Sequence, residues 1–209
     1  VNAQRPPDAQ LHLLPPRQQL RYYSLRSDKR RQEYLYSRLL ICTALSRHYQ
    51  RPSTSWKIEE PENSPPIIHN LPTPGHISLS HSHELMCFTL NPLRIGVDIE
   101  KTRPRKNVKL MAELFMNNRE LQQLPETDIE QHQYFYRLWC AKEALYKALP
   151  LVKQSTTALT SLSYLQLKNG QFKWQLSEFK LEDYQVAIVY ENQLRTVVTT
   201  THFVDTENL

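Results

Sequence analysis

Three short stretches of the chain hold residue types from which chemistry is built. In Arg94–Glu100, RIGVDIE, strand alternation puts Ile95, Val97 and Ile99 on one face and Asp98 and Glu100 on the other. Two carboxylates about 7 Å apart along a strand repel each other unless a cation lies between them. A hard divalent ion held by oxygens, Mg²⁺ first among them, is one answer, and a solvated strand end is the other. In Leu138–Lys147, LWCAKEALYK, helical spacing lines up Leu138, Ala141, Leu145 and Ala148 as a core stripe. Trp139, Glu143 and Lys147 then fall on nearly the opposite side, with Glu143 and Lys147 at i and i+4 in the order that pairs well. A surface ion pair is the plain reading of those two, and the large ring of Trp139 argues against full exposure. In Ser78–Ser82, SLSHS, three hydroxyls surround His81 and offer donors to phosphate oxygens. A regular strand would turn the serines away from His81, so Ser80 and His81 converge only at a turn.

These residues need elements to hold them. Leu35, Leu39, Leu40, Thr43 and Ala44 recur at three- and four-residue steps and predict a helix over 29–49, with Asp28 as N-cap and Arg31 and Arg38 on its flanks. Residues 1–20, with Pro6, Pro7, Pro15 and Pro16, read as irregular, and 51–76 as loop around a short strand near Trp56. Strand-like runs follow at 76–82, 85–90 and 94–100. The basic run KTRPRKNVK at 101–109 reads as a linker between halves, 1–101 and 102–209. Helices are predicted at 108–117 and 128–149, with Asp128 capping the second. Asn169-Gly170 predicts a hairpin between strands 162–168 and 171–176, and further strands are expected at 185–190 and 196–202. Each half thus reads as helix followed by strands, an α+β protein of two similar lobes.

Composition narrows the function classes. The 209 residues are 40% hydrophobic and 22% charged, a globular balance with length enough for a proper core. Three glycines against 14 prolines exclude a Gly-rich phosphate loop, so any phosphate must be held by side chains and metal. Cys42, Cys87 and Cys140 lie far apart in apolar sequence and read as reduced core residues of a cytoplasmic protein. No apolar run approaches ~18 residues, so no membrane span is expected, and nothing resembles a cleaved signal peptide. The net charge of +5 is uneven: residues 1–51 hold ten Lys or Arg against Asp8, Asp28 and Glu33. A basic half implies an anionic partner, whether nucleic acid, an acidic protein or a phosphate-bearing small molecule. Tyr22, Tyr23, Tyr34 and Tyr36 interleave with the arginines as in single-strand binders. Yet no recognised nucleic-acid motif is present, and Asp98 and Glu100 would oppose a phosphate backbone without metal.

Taken together and in order, SLSHS (78–82), GVDIE (96–100) and WCAKEALYK (139–147) resemble the 4′-phosphopantetheinyl transferase superfamily, in its larger, monomeric, surfactin-synthetase-activating class. RRQEYLYSRLL (30–40) resembles a further segment that precedes these in many members. The resemblance implies two pseudo-symmetric α+β lobes with the active site in the cleft between them. It implies transfer of the phosphopantetheine arm of coenzyme A to a serine of an apo carrier protein, with 3′,5′-adenosine bisphosphate released. It assigns Mg²⁺ to Asp98, Glu100 and Glu143, proton removal from the carrier serine to Glu143, and the leaving phosphate to Lys147. Lys142 would orient phosphates, Ser80 and His81 would bind coenzyme A, and Arg31 and Arg38 would meet its 3′-phosphate. No nucleic acid or membrane is expected as partner. Ser64-Pro65-Pro66 stands where many relatives have Gly-Lys-Pro, Ser78 where Asn is usual, and Leu149-Pro150 where a glycine is common. These departures bear on coenzyme A affinity and motivate the alternative of a degenerate transferase kept as scaffold or regulator.

Overall fold

A computed structural model describes residues 7–61, 65–155, 157–171 and 173–191. The expected strand at 196–202 lies outside the described residues, as does Ser64. The chain groups into two compact units whose boundary falls at Pro74–Gly75 rather than at Lys101.

In the first unit, a 3-10 turn at Pro7–Leu13 leads into helix α1, Pro16–Ser24, where an irregular segment was expected. Pro16 occupies the first helical turn, where its missing N–H costs nothing and its fixed φ favours the helix. Helix α2, Asp28–Tyr49, follows the predicted span, with Ser27 rather than Asp28 at the N-cap position and Gln50 in the left-handed conformation at its end. Strands β1 (Ile58–Glu59) and β2 (Ile67–Ile68) pair antiparallel. Tyr22, Leu35, Leu39, Ile41, Leu45 and Trp56 are buried in this unit.

The second unit opens with β3 (His76–Ser82) and β4 (Leu85–Asn91), an antiparallel hairpin turning through His83 at positive φ. Strand β5 (Ile95–Lys101) pairs with β7 (Tyr184–Glu191), which pairs with β6 (Trp174–Leu181), giving the antiparallel order β5-β7-β6. Helices α3 (Val108–Ala112) and α4 (Asn118–Gln122) replace the single predicted helix at 108–117. The break has a local cause: Asn117 and Glu120 form a reciprocal capping box that starts a new helix. The long helix α5, Asp128–Ala148, is followed by α6 (Ala158–Ser161) and α7 (Tyr164–Lys168).

Helix α7 corrects the predicted hairpin at Asn169-Gly170. Ser163 Oγ accepts the Gln166 amide at the start of α7, and Gly170 with φ +62° sits just past its end. The left-handed glycine terminates a helix here instead of turning a strand pair. The expected linker at 101–109 is tied to the unit: Thr102 N donates to Asp183 O, and Arg105 Nε donates to Tyr136 Oη on α5.

Helix α5 is buried on both sides. Phe135, Leu138, Cys140, Ala141, Ala144 and Ala148 join Ala187 and Val189 of β7 in the main core, with Phe115 and Tyr164 on the other flank. On the opposite face of the sheet, Val97, Ile99, Val186 and Ile188 pack against Leu85 and Cys87 of β4. The three cysteines are free thiols, as the sequence suggests. Among the described residues no helix is long and apolar enough to cross a membrane.

Candidate active site

Strand β5 and helix α5 build the site together. The alternation read from RIGVDIE is observed: Val97 and Ile99 enter the apolar layer under β4, while Gly96, Asp98 and Glu100 turn to the α5 side. Gly96 is where the two backbones meet, since an added Cβ would overlap Ala144 O and stand 2.8 Å from Ala148 N. Asp98 is only 4% exposed, which rules out a solvated strand end.

Trp139, Glu143 and Lys147 form one ridge of α5, a turn apart, running against the direction of β5. Trp139 Nε1 donates to Glu100 Oε1 at 3.2 Å, and Lys147 Nζ donates to Asp98 Oδ1 at 2.7 Å. Lys147 also reaches Ser80 Oγ at 3.1 Å and Val97 O at 3.3 Å. It therefore pairs with Asp98 across two elements, not with Glu143 along the helix. Glu143 lies between these anchors. Burial first, then the Asp98 charge and to a lesser degree that of Glu100, hold its carboxyl above the usual range against the opposing pull of Lys147. Three acidic side chains from two separated stretches thus share one electrostatic neighbourhood.

Among the described residues no three His, Cys, Asp or Glu side chains stand as a ready-made metal-ligating cluster. The donor chemistry nonetheless fits a hard divalent cation. Asp98 Oδ2 is buried with no hydrogen-bond partner, the one such side-chain atom among the described residues, while Oδ1 is taken by Lys147 and Ser80. A buried carboxylate oxygen without a partner is costly unless a cation meets it.

The remaining predicted residues fall in different places. Ser78, Ser80 and Ser82 are buried on the inner face of a regular β3, and His81 is exposed on its outer face, so Ser80 and His81 do not converge. In the first unit, Arg38 Nε donates to Glu60 Oε1 at 2.6 Å, and Arg31 Nε donates to Leu25 O at 2.8 Å.

Lys142 departs from the phosphate-orienting role expected of it. Its side chain is 0% exposed, and its ammonium donates to Glu120 Oε2, Phe115 O and Leu159 O at 2.5, 2.8 and 3.0 Å. No donor remains for a phosphate. Glu120 in turn accepts the amides of Asn117 and Tyr164, so one buried ion pair fastens the 115–120 and 159–164 segments to α5 beside Glu143. Lys142→Ala should cost about 3–5 kcal/mol of stability by stranding the Glu120 carboxylate, and urea unfolding measures it. Sequence spacing gave no hint of Glu120, because the pair joins elements 22 residues apart.

Residues 94–189 match the family described as the 4′-phosphopantetheinyl transferase superfamily. Among curated proteins, the chain is 31% identical over 109 residues to 4′-phosphopantetheinyl transferase Sfp of Bacillus subtilis (strain 168), covering 52% of this chain and 48% of Sfp. It is 34% identical over 118 residues to 4′-phosphopantetheinyl transferase HetI of Nostoc sp., covering 54% and 49% respectively. A third relative, 4′-phosphopantetheinyl transferase psf-1 of Bacillus pumilus, is 32% identical over 116 residues, covering 53% and 48%. The chain thus spans about half the length of the curated relatives it matches. The superfamily match contains Asp98, Glu100, Glu143 and Lys147, the residues that the β5–α5 packing brings together.

Proposed function

We propose that this protein is a monomeric, Mg²⁺-dependent transferase that moves the 4′-phosphopantetheine arm of coenzyme A onto a serine of an apo carrier protein. The observation that carries the reading is the acidic cluster, with Asp98 buried and its Oδ2 unpartnered, and half-buried Glu143 within the fields of Asp98 and Glu100. Asp98, Glu100 and Glu143 would hold the cation, which when bound neutralises the diphosphate of coenzyme A so that an alcohol can approach. Glu143 takes the proton from the carrier serine, directly or through water, and its raised carboxyl supports that work. The serine oxygen then bonds to the phosphorus carrying the pantetheine arm, and the diphosphate P–O bond breaks with its electrons passing to 3′,5′-adenosine bisphosphate. Lys147, whose part-exposed ammonium is held by Asp98, Ser80 and Val97 O, would exchange one of these contacts to stabilise that leaving phosphate. His81, exposed on the outer face of β3, is the residue of the SLSHS motif left free to meet a coenzyme A phosphate.

Intact-mass spectrometry of apo carrier proteins incubated with coenzyme A and Mg²⁺ tests the reading. The expected result is a gain of one phosphopantetheine arm on the carrier serine, lost when a chelator removes the cation. No gain on carriers that a known transferase modifies would overturn it.

A further inference from the structure

The three inner serines of β3 do something that neither strand pairing nor ligand binding accounts for. The β5 backbone uses one edge to pair with β7, leaving the amides of Val97, Ile99 and Lys101 pointing toward β3. No backbone ladder forms between β3 and β5. Instead Ser78 Oγ accepts Val97 N at 3.0 Å, Ser80 Oγ accepts Ile99 N at 3.3 Å, and Ser82 Oγ accepts Lys101 N at 3.1 Å. The two strands advance by two residues per rung, so the serine run and the β5 edge stay in register. Each hydroxyl keeps a proton to donate, and two of them point it at the acids: Ser80 to Asp98 Oδ1 at 2.8 Å and Ser82 to Glu100 Oε2 at 3.1 Å. Glu100 is thereby gripped on both oxygens, by Ser82 and by the Trp139 indole.

We propose that Ser82 is a positioning residue that fixes the Glu100 carboxylate toward the cation site, through a hydroxyl ladder in which Ser78 serves only the strand edge. The cation arm of this inference rests on the reading given under the proposed function; the placing of Glu100 does not. Ser78 supplies the internal control, because it makes the same contact to β5 with no hydrogen bond to either carboxylate among the described contacts.

Ser82→Ala and Ser78→Ala would be compared as ¹⁵N-labelled metal-free proteins and in Mn²⁺ titrations followed by electron paramagnetic resonance. In Ser82→Ala the Trp139 indole N–H resonance should shift and exchange faster with solvent, because its acceptor has lost its second anchor. In Ser78→Ala it should stay in place. Mn²⁺ affinity should fall about tenfold in Ser82→Ala, as for loss of a group that orients a metal ligand, and be unchanged in Ser78→Ala. An unmoved indole resonance in Ser82→Ala, or equal effects of the two substitutions, would overturn the positioning role. A wild-type protein that binds no Mn²⁺, with the indole responding as expected, would overturn the cation reading and support the ladder.

Discussion

A Glu143→Gln protein should fold as the wild type does and lose turnover by about 10²–10⁴-fold, the range for removing a positioned general base. The amide keeps the shape and loses both the basicity and a carboxylate of the acidic cluster. Stability should move the other way. In the folded chain the Glu143 carboxyl is raised, by burial first and then by Asp98 with Glu100 adding to it, so the folded state holds this proton more tightly than the unfolded chain. That contribution is present below the ordinary carboxyl range and is lost as pH rises through the raised value, which leaves a charge that destabilises the fold at neutral pH. Without divalent cations, the glutamine variant should therefore melt at or above the wild-type temperature at pH 7, and the difference should close near pH ~4. Carrier modification kinetics and calorimetry at two pH values measure both effects. Undiminished turnover would remove Glu143 from the chemistry.

Gly96→Ala should be the most damaging single methyl in the second unit. The added carbon meets helix backbone at Ala144 and Ala148, which cannot rotate aside as a side chain would. Relief requires α5 to lift from β5 and the Trp139–Glu100 and Lys147–Asp98 contacts to open with it. Overpacking of this kind costs about 3 kcal/mol, which lowers the melting temperature of a chain this size by about 6–12 °C. Activity should fall further than the loss of folded protein accounts for, and thermal melts alongside carrier assays separate the two. Wild-type stability in the alanine variant would show that α5 does not press on the strand as described.

Much of this was legible in the residues because the signals are local. The period-2 pattern of RIGVDIE and the helical spacing of LWCAKEALYK placed Asp98, Glu100, Glu143 and Lys147 on definite faces, and the α+β class followed from the same periodicities. What sequence could not supply was pairing between distant elements. Lys147 pairs with Asp98, not with its helical neighbour Glu143, because packing at Gly96 brings β5 closer to that ammonium than the next turn of its own helix. Lys142 looked like a site residue for its place beside Glu143, yet adjacent helical positions point about 100° apart, and it faces the opposite flank. Asn169-Gly170 carries a strong turn signal, but a left-handed glycine ends helices as readily as it turns hairpins, and Ser163 had already started one. The alternation of Ser78, Ser80 and Ser82 showed that they share a face; that they would meet the edge of β5 belongs to tertiary structure.

The two-sided enclosure of α5 has a mechanical corollary. With sheet on one flank and the Lys142–Glu120 fastening on the other, the helix offers almost no compliance, and the acids it faces are referenced to a stiff rod. Elastic give in the second unit is left to the β3–β4 hairpin, which joins that rod's sheet through side-chain hydroxyls in place of a continuous backbone ladder.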